Sequence, residues 1–241
     1  MTHVYRQAEQ EFVDILDAIR TSKVNNNQIG EINKRVIPSD SDVDFQISLV
    51  PTNAMAYEIN MAKLAQLPGE PKHFQGVVEG DFPEKTLPTP SDLVLKENAQ
   101  IMLLNNDPKS RWINGDLAKI LTIGNESIRI IFEDGTFDDI VRHTWDKISF
   151  AYDNEEKKIV SEITGSYIQF PMKLAWALTI HKAQGKTYDK VVIDFGSGTF
   201  ASGQAYVALS RSRSLNGLIL KTPLELSHIF VDSRIEDFLE K

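Results

Sequence analysis

The sequence predicts an α/β protein interrupted by a small β-barrel, and three observations lead there. Towards both ends of the chain, apolar strands alternate with segments of helical period, the pattern of a parallel or mixed sheet with covered faces. Between them, from about Leu93, the chain breaks into short strands with closely spaced turns, which is the pattern of a small barrel. The length of 241 residues corresponds to about one and a half domains at roughly 150 residues each, enough for a core and a small module. The expected boundaries are 1–113 together with 168–241 for the α/β domain, and 114–167 for the inserted barrel.

In chain order, Phe12, Ile15, Leu16 and Ile19 fall at the i, i+3, i+4, i+7 spacing of one buried helical face. A shorter helix is expected through Ile29, Ile32 and Val36, broken by Pro38 and the acidic run Asp40 to Asp44. Phe45 to Val50 reads as a strand ending in Pro51, Thr52 and Asn53. Thr52 or Asn53 then caps a helix through Met55, Ile59 and Leu64. A strand running into a polar helix N-cap is a unit of nucleotide-binding sheets, where the helix N-terminus favours phosphate. Five Pro between Pro68 and Pro90 predict a loop-dominated excursion.

Strands follow within "AQIMLLNND", "DLAKILTIG" and "ESIRIIFEDGTFDDIV". Asp134-Gly135 supplies a hairpin turn that needs positive φ. Lys147 to Phe150 and Lys158 to Ile163 read as further strands. After Pro171 the α/β pattern resumes. "KVVIDFG" and "GLILKT" are buried strands, "GQAYVALSRS" is a helix, and "RIEDFLEK" is a closing helix.

Composition narrows the function. Charged residues are 25% of the chain and apolar residues 41%, as in soluble globular proteins. With no Cys, disulfides, thiolate zinc sites and cysteine nucleophiles are excluded. No apolar run approaches the roughly 18 residues of a membrane span, and the N-terminus lacks a signal peptide's apolar stretch. A cytoplasmic protein with no membrane partner is expected. The net charge of −8 argues against nucleic acid only as a sum, because residues 171–221 carry seven Lys/Arg against two Asp/Glu. Such an island attracts phosphate locally; chance clustering is the other reading of it.

Two segments concentrate polar chemistry. Residues 174–196 place Thr179, His181, Lys182 and Gln184 together before Gly185, a polar loop that brings side chains and backbone N–H groups to phosphate oxygens. Solvated loop residues are the plainer reading. Gly185-Lys186-Thr187 mimics the end of a P-loop, but Ile180 stands where the first Gly of G-x-x-x-x-G-K-[ST] belongs, so that reading fails. In residues 203–220, Gln204, Tyr206, Ser210 and Arg211 surround an apolar helix. Arg211 needs an anionic partner if half-buried, either an Asp elsewhere or a ligand phosphate, which suits its planar fork. Arg6, just before the first helix, is equally open. The five His show no i, i+4 pair and no H-E-x-x-H, so no metal site is expected, and no G-x-S-x-G marks a hydrolase.

Taken together, these segments resemble the C-terminal half of superfamily 1 DNA helicases of the Pif/RecD-like branch. "LAWALTIHKAQGKTYD" is similar to that family's motif V and "GQAYVALSRSRSLNGLIL" to its motif VI. "VYRQAEQEF" resembles motif IV, and "LVPTNAMAYEIN" the strand-to-helix step after it. "WINGDLAKIL" and "FEDGTFDDIVRHTW" resemble the Src-homology-3-like β-barrel inserted in the second motor domain of these enzymes.

The resemblance implies a RecA-like second motor domain with an inserted barrel, in a motor that uses ATP with Mg2+ to move 5′-to-3′ on single-stranded DNA. It assigns Arg6 and Arg211 to the γ-phosphate, where they stabilise charge on the transferring group. It places Thr52, Asn53, Thr179, His181 and Lys182 on the DNA backbone, and Gln184 and Gly185 between that surface and the nucleotide. The P-loop and acidic metal-binding motif of a first motor domain do not occur in the sequence. The expectation is therefore a piece of a longer protein whose missing N-terminal RecA-like domain supplies most ATP and Mg2+ ligands, and which alone neither hydrolyses ATP nor unwinds DNA. The alternatives are a non-catalytic nucleic-acid-binding module or a protein-interaction module derived from such a helicase.

Overall fold

The computed structural model describes residues 9–37, 44–153 and 157–230. The chain divides into two compact units, one holding the described residues of Met1–Met61 and Trp176–Lys241, the other Ala62–Ala175.

The first unit is built on a four-stranded sheet in which Ile47–Val50 lies between Ala177–Thr179 and Val191–Ile193, with Leu218–Leu220 beyond the latter. Every pairing is parallel, with Ser48 opposite Ala177 and Val192, and Val192 opposite Ile219. The strands are short and almost entirely buried, as expected of a parallel sheet covered on both faces. The helix Gln10–Arg20 buries Phe12, Ile15, Leu16 and Ile19, the four residues of its apolar stripe, and packs against the helix Gln204–Leu209.

The helix Asn26–Asn33 begins with a capping box between Asn25 and Gln28. It ends before Val36, which was expected inside it. Val36 instead bridges in parallel to Leu220, with Leu220 N–H donating to Arg35 O and Ile37 N–H to Leu220 O. A β-branched residue at a sheet edge gains a ladder that one more helical turn would not supply. The strand expected from Phe45 starts at Ile47, and Phe45 sits at φ 61. Thr52 caps Asn53–Gln66, its Oγ1 accepting from Met55 N–H at 3.2 Å. Arg6 and the expected closing helix at 234–241 lie outside the described residues.

In the second unit, Met172–Leu174, Gln100–Leu103, Leu117–Ile123, Ser127–Phe132 and Phe137–Val141 form a five-stranded antiparallel sheet in that order. It reaches beyond 114–167 on both sides: Gln100–Leu103 is a buried internal strand of the sheet and Met172–Leu174 an edge strand. The turn at Asp134-Gly135 has Gly135 at φ 84, and Asp134 accepts from the Thr136 N–H and hydroxyl. The two strands expected at Lys147–Phe150 and Lys158–Ile163 run much further, as His143–Asp153 and Lys158–Gln169, and Val77–Gly80 joins the second of them.

The Pro68–Pro90 stretch is likewise more ordered than expected. It contains Val77–Gly80 and Lys72–Gln75, the latter paired with Asp92–Leu95. Gln169, fully buried, supports Lys72–Gln75: its Nε2 donates to Phe74 O at 2.7 Å, while its Oε1 accepts from Phe170 N–H at 2.9 Å. Asp107 organises the loop after Gln100–Leu103. The Arg111 guanidinium hydrogen-bonded to it, aided by the Arg111 and Lys109 N–H groups, lowers its carboxyl to about 2. Among the described residues no helix is long and apolar enough to cross a membrane.

Candidate nucleic-acid and nucleotide interface

Parallel strands present their carboxyl ends at one edge of the sheet, and ligands of open α/β sheets bind there. In the first unit that edge carries Thr52 and Asn53 after Val50, Ile180 to Gln184 after Thr179, and Asp194 to Gly196 after Ile193. The register opposes Val50 to Thr179, and Ile180 N–H donates to Val50 O at 2.9 Å. Thr52 and Asn53 therefore follow the strand that neighbours the one leading into His181 and Lys182. Five residues expected on one surface from separate sequence segments thus share one sheet edge.

Their exposures differ. Thr52, Asn53, His181 and Lys182 are exposed, whereas Thr179 is 5% exposed and closes the strand from beneath. Thr52 also spends its hydroxyl as an acceptor on the helix cap. His181–Ala183 forms one 3-10 turn, closed by Gln184 N–H donating to His181 O. Gln184 and Gly185 are exposed, and Gly185 sits at φ 90, a left-handed conformation that favours Gly.

Arg211 is 4% exposed. Its Nε donates to Val207 O at 2.9 Å, Nη1 to Lys186 O at 2.8 Å, and Nη2 to Ser210 Oγ at 2.8 Å. Its backbone joins in, with Tyr188 N–H donating to Arg211 O at 2.8 Å and Arg213 N–H to Tyr188 O at 3.1 Å. Arg211 therefore clamps the segment after Gly185 to the helix Gln204–Leu209. Two carbonyl oxygens and a hydroxyl thus receive these three guanidinium donors. In this conformation the guanidinium does not present itself to an external phosphate. Burial pushes the Tyr188 hydroxyl up to about 12, with the Arg211 charge pulling the other way, and that hydroxyl has no hydrogen-bond partner among the described residues.

Two residues escape sequence reasoning. Asn60, on the helix Asn53–Gln66, donates from Nδ2 to Ala177 O and accepts at Oδ1 from Ala177 N–H, both at 2.9 Å. Ala177 lies in the sheet's edge strand, so the Asn60 amide completes a ladder that no further strand supplies. It holds the segment that delivers Thr179, His181 and Lys182. Phe200 is the other, exposed beside the His181 ring. A mid-helix Asn and a loop Phe carry no positional signal in the sequence. Among the described residues no group of three or more His, Asp or Glu is placed to hold a metal ion.

A parallel α/β sheet with polar groups gathered at its carboxyl edge is the arrangement found in nucleotide-binding α/β domains. A family profile described as the UvrD-like helicase C-terminal domain matches residues 174–219, the stretch from the edge strand through Arg211. The ATP-dependent DNA helicase Pif1 of Bdellovibrio bacteriovorus is 33% identical over 225 residues, covering 91% of this chain and 49% of that protein. Unliganded Pif1 from Bacteroides sp. superposes with a TM-score of 0.87 at 31% identity, over 99% of this chain and 55% of that one. Bacteroides Pif1 in complex with ADP-AlF3 and single-stranded DNA superposes with a TM-score of 0.75 at 33% identity, over the same shares.

The α/β unit is thus of the RecA-like motor type. Over nearly its whole length the chain is similar to the C-terminal part of Pif1 helicases, and it spans about half the length of the Bdellovibrio relative.

Proposed function

We propose that the chain is the C-terminal motor half of an ATP-dependent DNA helicase that moves 5′-to-3′ along single-stranded DNA in the cytoplasm. The observation that carries this reading is a hydrogen bond that joins the carboxyl-edge segment to the helix Gln204–Leu209. The polar residues at the carboxyl edge and the motif VI helix are tied together by the bond from Arg211 to Lys186 O. Thr52, Asn53, His181 and Lys182 meet the DNA backbone, with Thr179 beneath them. Phosphate contacts of this kind are independent of sequence, as a stepping motor requires.

Arg211, together with Arg6, acts on the γ-phosphate of ATP held with Mg2+ mainly by a separate N-terminal RecA-like domain. Arg211 reaches that phosphate by releasing Lys186 O, and so frees the segment next to Gln184 and Gly185 when nucleotide binds. The antiparallel sheet of the second unit is the Src-homology-3-like barrel of this architecture. One observation favours a second reading, a non-catalytic nucleic-acid-binding module: the internal bonding of Arg211.

Both readings place DNA at the carboxyl edge. The chain is expected to bind oligo(dT) with a log–log salt slope of several units, at roughly 0.7 per phosphate contact for single strands. Lys182→Ala is expected to reduce that slope by about 0.7, measured by fluorescence anisotropy across a salt series. An unchanged slope and affinity would remove Lys182 from the DNA surface.

A further inference from the structure

The segment Phe195 to Gly203 follows a sheet strand and leads into the motif VI helix, and it is tightly bonded. Gly198 N–H donates to Phe195 O at 2.9 Å, and Gly203 N–H donates to Phe230 O at 3.0 Å. The Thr199 hydroxyl donates to His228 O at 2.8 Å. The Phe200 N–H donates at 3.0 Å to Oε1 of Gln204, itself 3% exposed. Yet this anchored segment holds the Phe200 ring 62% exposed. Isolated exposed apolar side chains are common. This one is set apart by its neighbour: the His181 ring, on the DNA-facing turn, lies 6.1 Å from it at an interplanar angle of 37°.

We infer that Phe200 is a base-stacking residue for single-stranded DNA, a contact that extends the backbone surface proposed above and rests on that proposal. Proteins that hold single strands without sequence preference combine cationic groups along the backbone with aromatic faces on which bases stack. Lys182 and the basic island supply the first part, and Phe200 the second. The His181 ring abuts Phe200 on one side, and the exposed remainder of the Phe200 ring is offered to a base whose phosphate lies towards His181 and Lys182. The buried Gln204 fixes the Phe200 backbone, so the ring is held out at little further cost in ordering when the strand arrives.

The test compares binding of the 241-residue chain to oligo(dT) and to an abasic sugar–phosphate strand of equal length and charge. The wild type is expected to prefer oligo(dT) by about tenfold. Phe200→Ala should lose that preference while keeping its affinity for the abasic strand and its melting temperature. Phe200→Trp should keep the preference and show quenching of the added indole fluorescence by oligo(dT) but not by the abasic strand. A Phe200→Ala variant that still prefers oligo(dT) tenfold would overturn the inference. So would equal wild-type binding to the two strands, which would leave the backbone surface standing. Failure of the wild type to bind either strand would instead remove the DNA surface and the stacking contact with it.

Discussion

In a motor completed by a first RecA-like domain, Arg211→Ala is expected to lower DNA-stimulated ATP turnover by about 10³-fold or more, the scale on which a γ-phosphate arginine acts. Affinity for single-stranded DNA should stay close to that of the wild type, because the Arg211 side chain is buried whereas Thr52, Asn53, His181 and Lys182 are exposed. The same substitution also strips a donor from Lys186 O, Val207 O and Ser210 Oγ, with a stability cost of about 1–3 kcal/mol.

The two effects separate in Arg211→Lys. A Lys ammonium is a point charge that cannot reproduce the three-way fork, so this variant should recover part of the melting temperature and little of the turnover. Steady-state ATP hydrolysis beside thermal melting reads both quantities. Wild-type turnover in Arg211→Ala would take Arg211 out of the nucleotide site and leave it as a clamp between motifs V and VI.

Asn60→Leu should be the most damaging change among residues that touch neither DNA nor nucleotide. The substitution keeps the branched shape but leaves Ala177 N–H and Ala177 O without the amide that satisfies them. Unsatisfied buried backbone groups cost about 1–3 kcal/mol each, so a loss of about 2–6 kcal/mol is expected. Urea unfolding should show a lower midpoint at unchanged slope. Because Ala177 begins the strand that ends at Thr179, hydrogen exchange at the Ala177 amide should accelerate and oligo(dT) affinity should fall with it. Unchanged exchange at Ala177 would show that the edge strand does not depend on Asn60.

Elements governed by local physics were legible in the sequence. The stripe Phe12, Ile15, Leu16 and Ile19 marks a buried helical face and is buried. Thr52 reads as a cap and caps. Asp134-Gly135 reads as a turn and forms one, with Gly135 at positive φ. The proximity of Thr52 and Asn53 to His181 and Lys182 was legible only through the resemblance, since parallel pairing joins segments more than a hundred residues apart.

What stayed hidden is decided by distant partners. Asn60 looks like an ordinary polar residue on a helix until the edge strand at Ala177 is placed beside it. The strands inside Pro68–Pro90 are masked by their Pro and Gly content, and pair with segments further along the chain. Arg211 reads as a guanidinium awaiting an anion, because no local pattern encodes the distant Lys186 carbonyl oxygen that receives its Nη1.

In the proposed ATP-driven motor the chain supplies one half and depends on another domain for the phosphate-binding half. The most direct test is DNA-stimulated ATP hydrolysis by the 241-residue chain alone and by the same chain joined to the first motor domain of the Bdellovibrio relative. The account predicts no turnover from the chain alone and DNA-dependent turnover from the joined protein. Turnover by the chain alone, or a folded joined protein that binds single-stranded DNA and hydrolyses no ATP, would contradict it.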